Sequence, residues 1–219
     1  MAGRGVRYRI GSAAAALALG LTVAGAGSAV AAPAAGSAAP AVRARTAPAA
    51  AQAADIDHAA WQREVRAVID QAMPYVRQRT EGAAGQRLAV VFDVDNTALE
   101  TDFHPWYQYP TPAVAPSLEL ARYAASRGVA VFFVTARPGI IGSLTQSNLK
   151  AVGYPVTGLY VRDLPDLFNE VSAYKTGKRA EIEAKGYTII ANIGNRDSDL
   201  VGGHAERTFK LPDYDGRLS

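Results

Sequence analysis

The 219-residue chain contains no cysteine. Disulfides, thiol chemistry and cysteine lipidation are therefore excluded. No acidic residue precedes Asp55, and no Arg-Arg pair occurs near the start to suggest twin-arginine export. Large apolar side chains are also scarce there. Ala13 to Ala26 leans on Ala and Gly rather than Leu and Ile, short of the ~20 strongly apolar residues a membrane-spanning helix needs.

What is present there reads as an export signal. Arg4, Arg7 and Arg9 form a basic start, the small apolar stretch comes next, and Ala29-Val30-Ala31 offers a small-residue cleavage site. Residues 1–32 are thus expected to be a Sec-type signal peptide, the protein secreted, and membrane association ended by cleavage. Residues 33–54 are almost entirely Ala, Pro, Gly and Ser with Arg43 and Arg45, a composition that buries too little to offset its ordering entropy. They are expected to be a disordered spacer. Residues 55–219 suffice for one domain with a full core.

The formal net charge of +3 misleads about partners. Removing the five early arginines leaves 18 basic against 20 acidic side chains from residue 55 onward. A slightly acidic domain gives no support for nucleic-acid binding.

Within that domain the apolar period switches between helix and strand. Trp61, Val65, Val68, Ile69, Ala72 and Val76 recur at helical spacing, predicting a helix over 56–78 with a kink or break at Pro74. Strands are predicted at 88–92, 129–134, 159–161, 187–194 and 208–211. Further helices are predicted at 115–126, 140–152 and 173–185, with Gly128, Gly153 and Gly186 as stops. Strands alternating with helices imply an α/β fold, a Rossmann-like parallel sheet flanked by helices. In such sheets the ligand crevice lies beyond the carboxyl ends of the strands.

The stretch "RLAVVFDVDNTALET" runs a buried strand straight into Asp93, Asp95 and Thr97. Two adjacent carboxylates repel, so something must offset them. Thr135 and Arg137 come after the second strand, and Asn195, Asp197 and Asp199 after the fourth; all should converge on one crevice. Carboxylates with hydroxyl, amide and guanidinium groups suit a hard cation together with an oxyanion. A calcium loop is the first alternative for "DVDNTALETDFH". It fails because Ala98 stands where that loop needs Gly, His104 where it needs a bidentate Glu, and a strand precedes it.

With "VVFDVDNTAL", "VFFVTAR", "YKTGKR" and "IGNRDSDL" in order, the chain resembles the haloacid dehalogenase superfamily, specifically its secreted acid phosphatases akin to bacterial class B enzymes and plant vegetative storage proteins. The resemblance implies that Asp93 attacks phosphorus and carries an aspartyl-phosphate. It implies that Asp95 is the acid and base, that Thr135 and Lys175 hold the phosphoryl group, and that Arg137 and Thr97 are additional phosphate contacts. Mg²⁺ would be held by Asp93, the Asp95 carbonyl, Asn195 and, indirectly, Asp199. The usual Asp after the Gly is Asn195 here, which removes one charge and should weaken the metal.

The aromatic, Pro-rich residues 101–112 should form a small cap insert. Its Phe103, His104, Trp106, Tyr107 and Tyr109 either stack on an organic leaving group or pack the insert onto the core; His104, Trp106 and Tyr107 are the expected substrate contacts. His204 is a remote candidate for support near the fourth strand. The expected function is magnesium-dependent hydrolysis of small phosphomonoesters. A non-catalytic storage or phosphate-binding protein and a phosphotransferase are the alternatives, and the substrate ester and oligomeric state stay open.

Overall fold

Asp57 starts the first helix, its Oδ1 accepting hydrogen bonds from the main-chain N–H groups of Ala59 and Ala60 at 2.8 and 3.2 Å. This computed structural model describes residues 55–218, so the expected signal peptide and spacer lie outside the described residues. The helix, α1 (His58–Glu81), buries Trp61, Val65, Ile69, Ala72 and Val76 as one stripe. The break expected at Pro74 does not occur. A proline removes one main-chain bond, and the stripe remains buried on both sides of it, so packing carries the helix through.

The remaining elements alternate. They are β1 (Leu88–Phe92), α2 (Ala115–Ser126), β2 (Ala130–Pro138), α3 (Gly142–Ala151), β3 (Gly158–Arg162), α4 (Val171–Ala184), β4 (Thr188–Gly194), the single turn α5 (Asp197–Leu200) and β5 (Arg207–Lys210). The five strands form one parallel sheet in the order β3-β2-β1-β4-β5. Alternation in β1 serves two cores. Leu88, Val90 and Phe92 pack with the α1 stripe, Leu120 and Leu149, whereas Ala89 and Val91 pack with Tyr174 and Ile182 of α4. Both faces of the sheet are thereby covered, as a parallel sheet requires.

Two boundaries differ from expectation in ways that matter for the site. β2 runs past Val134 to Pro138 because, after a register shift, Pro138 pairs with Arg162 of β3. The shifted stretch carries Thr135 and Arg137 out over the sheet edge. The turn α5 was not expected, since four residues are too few for a periodic signal. Among the described residues no helix is long and apolar enough to cross a membrane.

A network at one end ties α1 to the segment before β5. Arg79 donates to both oxygens of Glu206 at 2.8 Å and Tyr75 Oη donates to Oε2 at 3.0 Å, holding the Glu206 carboxyl below its usual range. A depressed folded pKa gives stability that is present above the unfolded value and lost as the pH falls through the folded one. Glu206→Gln is therefore expected to lower stability at pH 7 by less than about 1 kcal/mol, solvent screening limiting the pair. The difference should close below about pH 4, which urea melts at pH 3.5 and 7 would check.

Candidate active site

Strand register brings the polar residues to one edge. Phe92 of β1 pairs with Phe133 of β2 and Ile193 of β4, and the Asp93 N–H donates to the Ile193 carbonyl at 3.0 Å. The sheet order reverses at β1, so the crevice opens at its carboxyl end. A cavity of about 360 Å³ lies there, and its lining includes Asp93, Asp95, Arg137, Lys175, Arg196 and Asp199.

The turn after Asp95 is held by Asn96. Its φ of 53° is left-handed, and its side chain bonds Asp102, Oδ1 accepting from the Asp102 N–H at 3.0 Å and Nδ2 donating to Oδ2 at 2.8 Å. On the far side Gly194 lets α5 come close, since a Cβ there would lie 2.4 Å from the Asp199 Cβ. The Asp199 carbonyl accepts from Arg179 Nη1 at 2.7 Å and Asn192 Nδ2 at 2.9 Å. These contacts fix the carboxylate that meets Lys175.

Lys175 is 3 % exposed and its Nζ lies 2.6 Å from both Asp93 Oδ1 and Asp199 Oδ1. Burial alone would lower its pKa, but the two carboxylates more than offset that and hold it above the usual range. One ammonium shared by two carboxylates leaves negative charge in excess. Burial accordingly pushes the Asp93 carboxyl up to about 7, Lys175 opposing and the Asp199 and Asp95 charges reinforcing.

The expected repulsion between Asp93 and Asp95 is relieved by a separate cation for each. Arg137 donates from Nε to both Asp95 oxygens at 3.1 Å and from Nη2 to Oδ1 at 2.7 Å. It also reaches Thr145 and Thr101 at 3.2 and 3.3 Å. Arg137, expected as a phosphate contact, is here the partner of an acid. To donate a proton, Asp95 must release one of these bonds.

Thr135 and Thr97 are fully buried, as is Asn195. The Thr135 hydroxyl accepts from the Arg137 N–H at 3.2 Å, leaving its own proton to donate. Thr97 Oγ1 donates to Asn195 Oδ1 at 3.4 Å, and Asn195 Nδ2 donates to the Leu218 carbonyl at 3.3 Å. Asp199 is fully engaged, since Oδ2 accepts from the Arg196 N–H at 2.8 Å. Asp197 is exposed.

Among the described residues no group of three or more His, Asp or Glu side chains could cage a metal. The oxygens that suit a hard cation are Asp93 Oδ2, the Asp95 main-chain carbonyl and Asn195 Oδ1. They are hard oxygen donors of the kind a divalent cation takes, with one formal charge among them and with Asn195 Oδ1 already accepting from Thr97.

The insert contributes less than expected. His104 does not line the crevice; it meets the buried Glu100 at 3.1 Å, where His58 also approaches at 2.9 Å, and Phe103 lies against Trp61 with centroids 4.5 Å apart. Phe103 fastens the insert to α1 directly, and His104 does so only through Glu100, which meets His58. Trp106 and Tyr107 are 95 % and 72 % exposed and do not line the cavity. His204 pairs with Glu183 at the surface. Sequence reasoning missed Arg196, within "IGNRDSDL", and Arg179, within "YKTGKR"; both could have been found in those motifs.

Residues 21–111 and 100–217 match the family model described as HAD superfamily, subfamily IIIB (Acid phosphatase). "Acid phosphatase 1" of Solanum lycopersicum is 30% identical over 172 residues, covering 69% of this chain and 67% of that protein. The "Stem 28 kDa glycoprotein" of Glycine max is 38% identical over 106 residues, 46% of this chain and 41% of its own length. The class C acid phosphatase from Bacillus anthracis superposes with a TM-score of 0.53 at 18% identity, covering 76% of this chain and 82% of that one. At that identity the likeness concerns the fold.

Proposed function

The chain belongs to the HAD superfamily, subfamily IIIB, the acid phosphatases, and from that premise we propose that it hydrolyses small phosphomonoesters at the Asp93 edge. The observation that carries this reading is the buried Lys175 ammonium 2.6 Å from Asp93, a nucleophile paired with a cation in a cavity sized for a small ester. Asp93 attacks phosphorus, the ester oxygen leaves with a proton from Asp95, and an aspartyl-phosphate forms. Asp95 then takes a proton from water, which attacks the phosphoryl group and restores Asp93. The Thr135 hydroxyl and Lys175 stabilise the charge on the transferring group.

Magnesium would be held by Asp93, the Asp95 carbonyl and Asn195, supplying charge neutralisation for the bound phosphate. Asp199 acts through Lys175 rather than as a direct ligand. The leader in residues 1–32 takes the protein out of the cell, and residues 55–219 work as one domain.

The test is release of inorganic phosphate from phenyl phosphate by the purified chain as magnesium is titrated, with an added alcohol present to detect transfer. Magnesium-dependent release without transfer supports the proposal. No turnover from folded protein at millimolar magnesium would sink it and favour a binding role. Asn195→Asp run alongside is expected to reach half-maximal rate at about tenfold less magnesium, because it adds a charge beside a divalent cation. The same carboxylate, buried without metal, should cost roughly 1–3 kcal/mol in chelator and recover with magnesium, a melting readout independent of rate.

A further inference from the structure

The crevice holds one cation more than its internal pairs use. Lys175 is shared by Asp93 and Asp199, and Arg137 is engaged by Asp95. Arg196 lines the same cavity, yet among the described residues its side chain meets only the Leu218 carbonyl, from Nη1 at 3.4 Å. A guanidinium beside a phosphate site with no carboxylate of its own is free to bind an anion from outside.

Depth distinguishes its role from that of Lys175. The lysine is buried at the cavity floor, whereas Arg196 is half-buried and, with Ser198, also lines an adjoining polar cavity of about 460 Å³. Arg196 therefore stands nearer solvent than Lys175, where the two cavities meet. The Leu218 carbonyl steadies this junction, since it accepts from both Asn195 and Arg196. Asp197, Asp213 and Asp215 also line the outer cavity, and besides Arg196 the cation that faces them there is Lys210, already 3.1 Å from Asp213. A long polyanion would be repelled at that point; a compact one would not.

We propose that Arg196 is a specificity residue that selects phosphomonoesters bearing a second anionic group, a carboxylate or another phosphate, on the leaving-group side. The assignment rests on the phosphatase reading for its substrate and on Arg196's geometry for its selectivity. A planar guanidinium pairs bidentately with either anion.

Matched ligands test it. Binding of benzylphosphonate and 3-carboxybenzylphosphonate is measured by calorimetry on the wild-type chain, Arg196→Gln and Arg196→Lys, with phenyl phosphate and 3-carboxyphenyl phosphate compared in turnover. The wild type is expected to favour the carboxylated ligand. Arg196→Gln should lower that preference about tenfold and Arg196→Lys by less, with the change in KM rather than kcat and shrinking at high salt. No preference in the wild type, or equal weakening of both ligands in Arg196→Gln, overturns the assignment. Preferential binding without any turnover would uphold it while removing the hydrolytic reading.

Discussion

Asp93→Asn is expected to lower the turnover number for phenyl phosphate by roughly 10⁴-fold or more while the protein stays folded. An amide is a poor nucleophile toward phosphorus and forms no acyl-phosphate, so the two-step route closes and only positioning by the remaining groups persists. Retention of the fold is a consequence of the site's own charges. Asp93 is 6 % exposed and burial already disfavours its ionised form, so neutralising it removes a buried charge, while Lys175 keeps Asp199 at 2.6 Å. Two measurements decide it. Phosphate release should vanish, and the urea midpoint should move little; an Asp93→Asn protein that still turned over at a tenth of the wild-type rate would exclude Asp93 as nucleophile.

How much of this could be read from the chain depends on the kind of information each residue carries. The strand at Leu88–Phe92 was legible as an unbroken apolar run, which a strand covered on both faces requires, and the α1 stripe because one-sided burial imposes a period of about four. Asp93, Asp95 and Asn195 were legible because a parallel sheet delivers the residues just past its strands to one edge. Arg137's partner was not, because it depends on the register shift that extends β2 past Val134. Composition alone could not separate the insert's aromatics. Phe103 meets Trp61 and His58, and Glu100, which His104 holds four residues away, meets His58, so the ties to α1 reach back across more than forty positions, while Trp106 and Tyr107, with the same chemical promise, stay in solvent. Of the kink or break expected at Pro74 the break is absent, because a stripe of five buried residues outweighs the propensity of one.

The crevice is also close to charge-neutral before substrate or metal arrives. Three carboxylates, Asp93, Asp95 and Asp199, face Lys175, Arg137 and Arg196. A phosphate dianion entering such a site needs further positive charge or must displace an internal pair. On the proposed reading, a divalent cation at Asp93 and the loosely held Arg196 would be the two ways to supply it. Asn195 shifts the balance toward the second, since it contributes a dipole where a carboxylate would have added charge.

Lys175→Met should have the second large effect, and on both stability and rate. The substitution keeps an unbranched chain but leaves Asp93 and Asp199 buried side by side with no cation, a change expected to cost about 3–5 kcal/mol. Turnover of the folded fraction should fall by roughly 10³-fold, since a preorganised charge on the transferring phosphoryl group is lost. A double variant separates the two contributions. Adding Asp199→Asn removes one of the stranded carboxylates, so a large part of the stability should return, yet the rate should not, because nothing restores positive charge beside Asp93. Urea unfolding of both variants at pH 7 and pH 5 checks the electrostatic origin: a stranded carboxylate is relieved by taking up a proton, so the Lys175→Met deficit should shrink as the pH is lowered. A deficit that stayed constant with pH, or a double variant that recovered rate along with stability, would assign Lys175 a packing role alone.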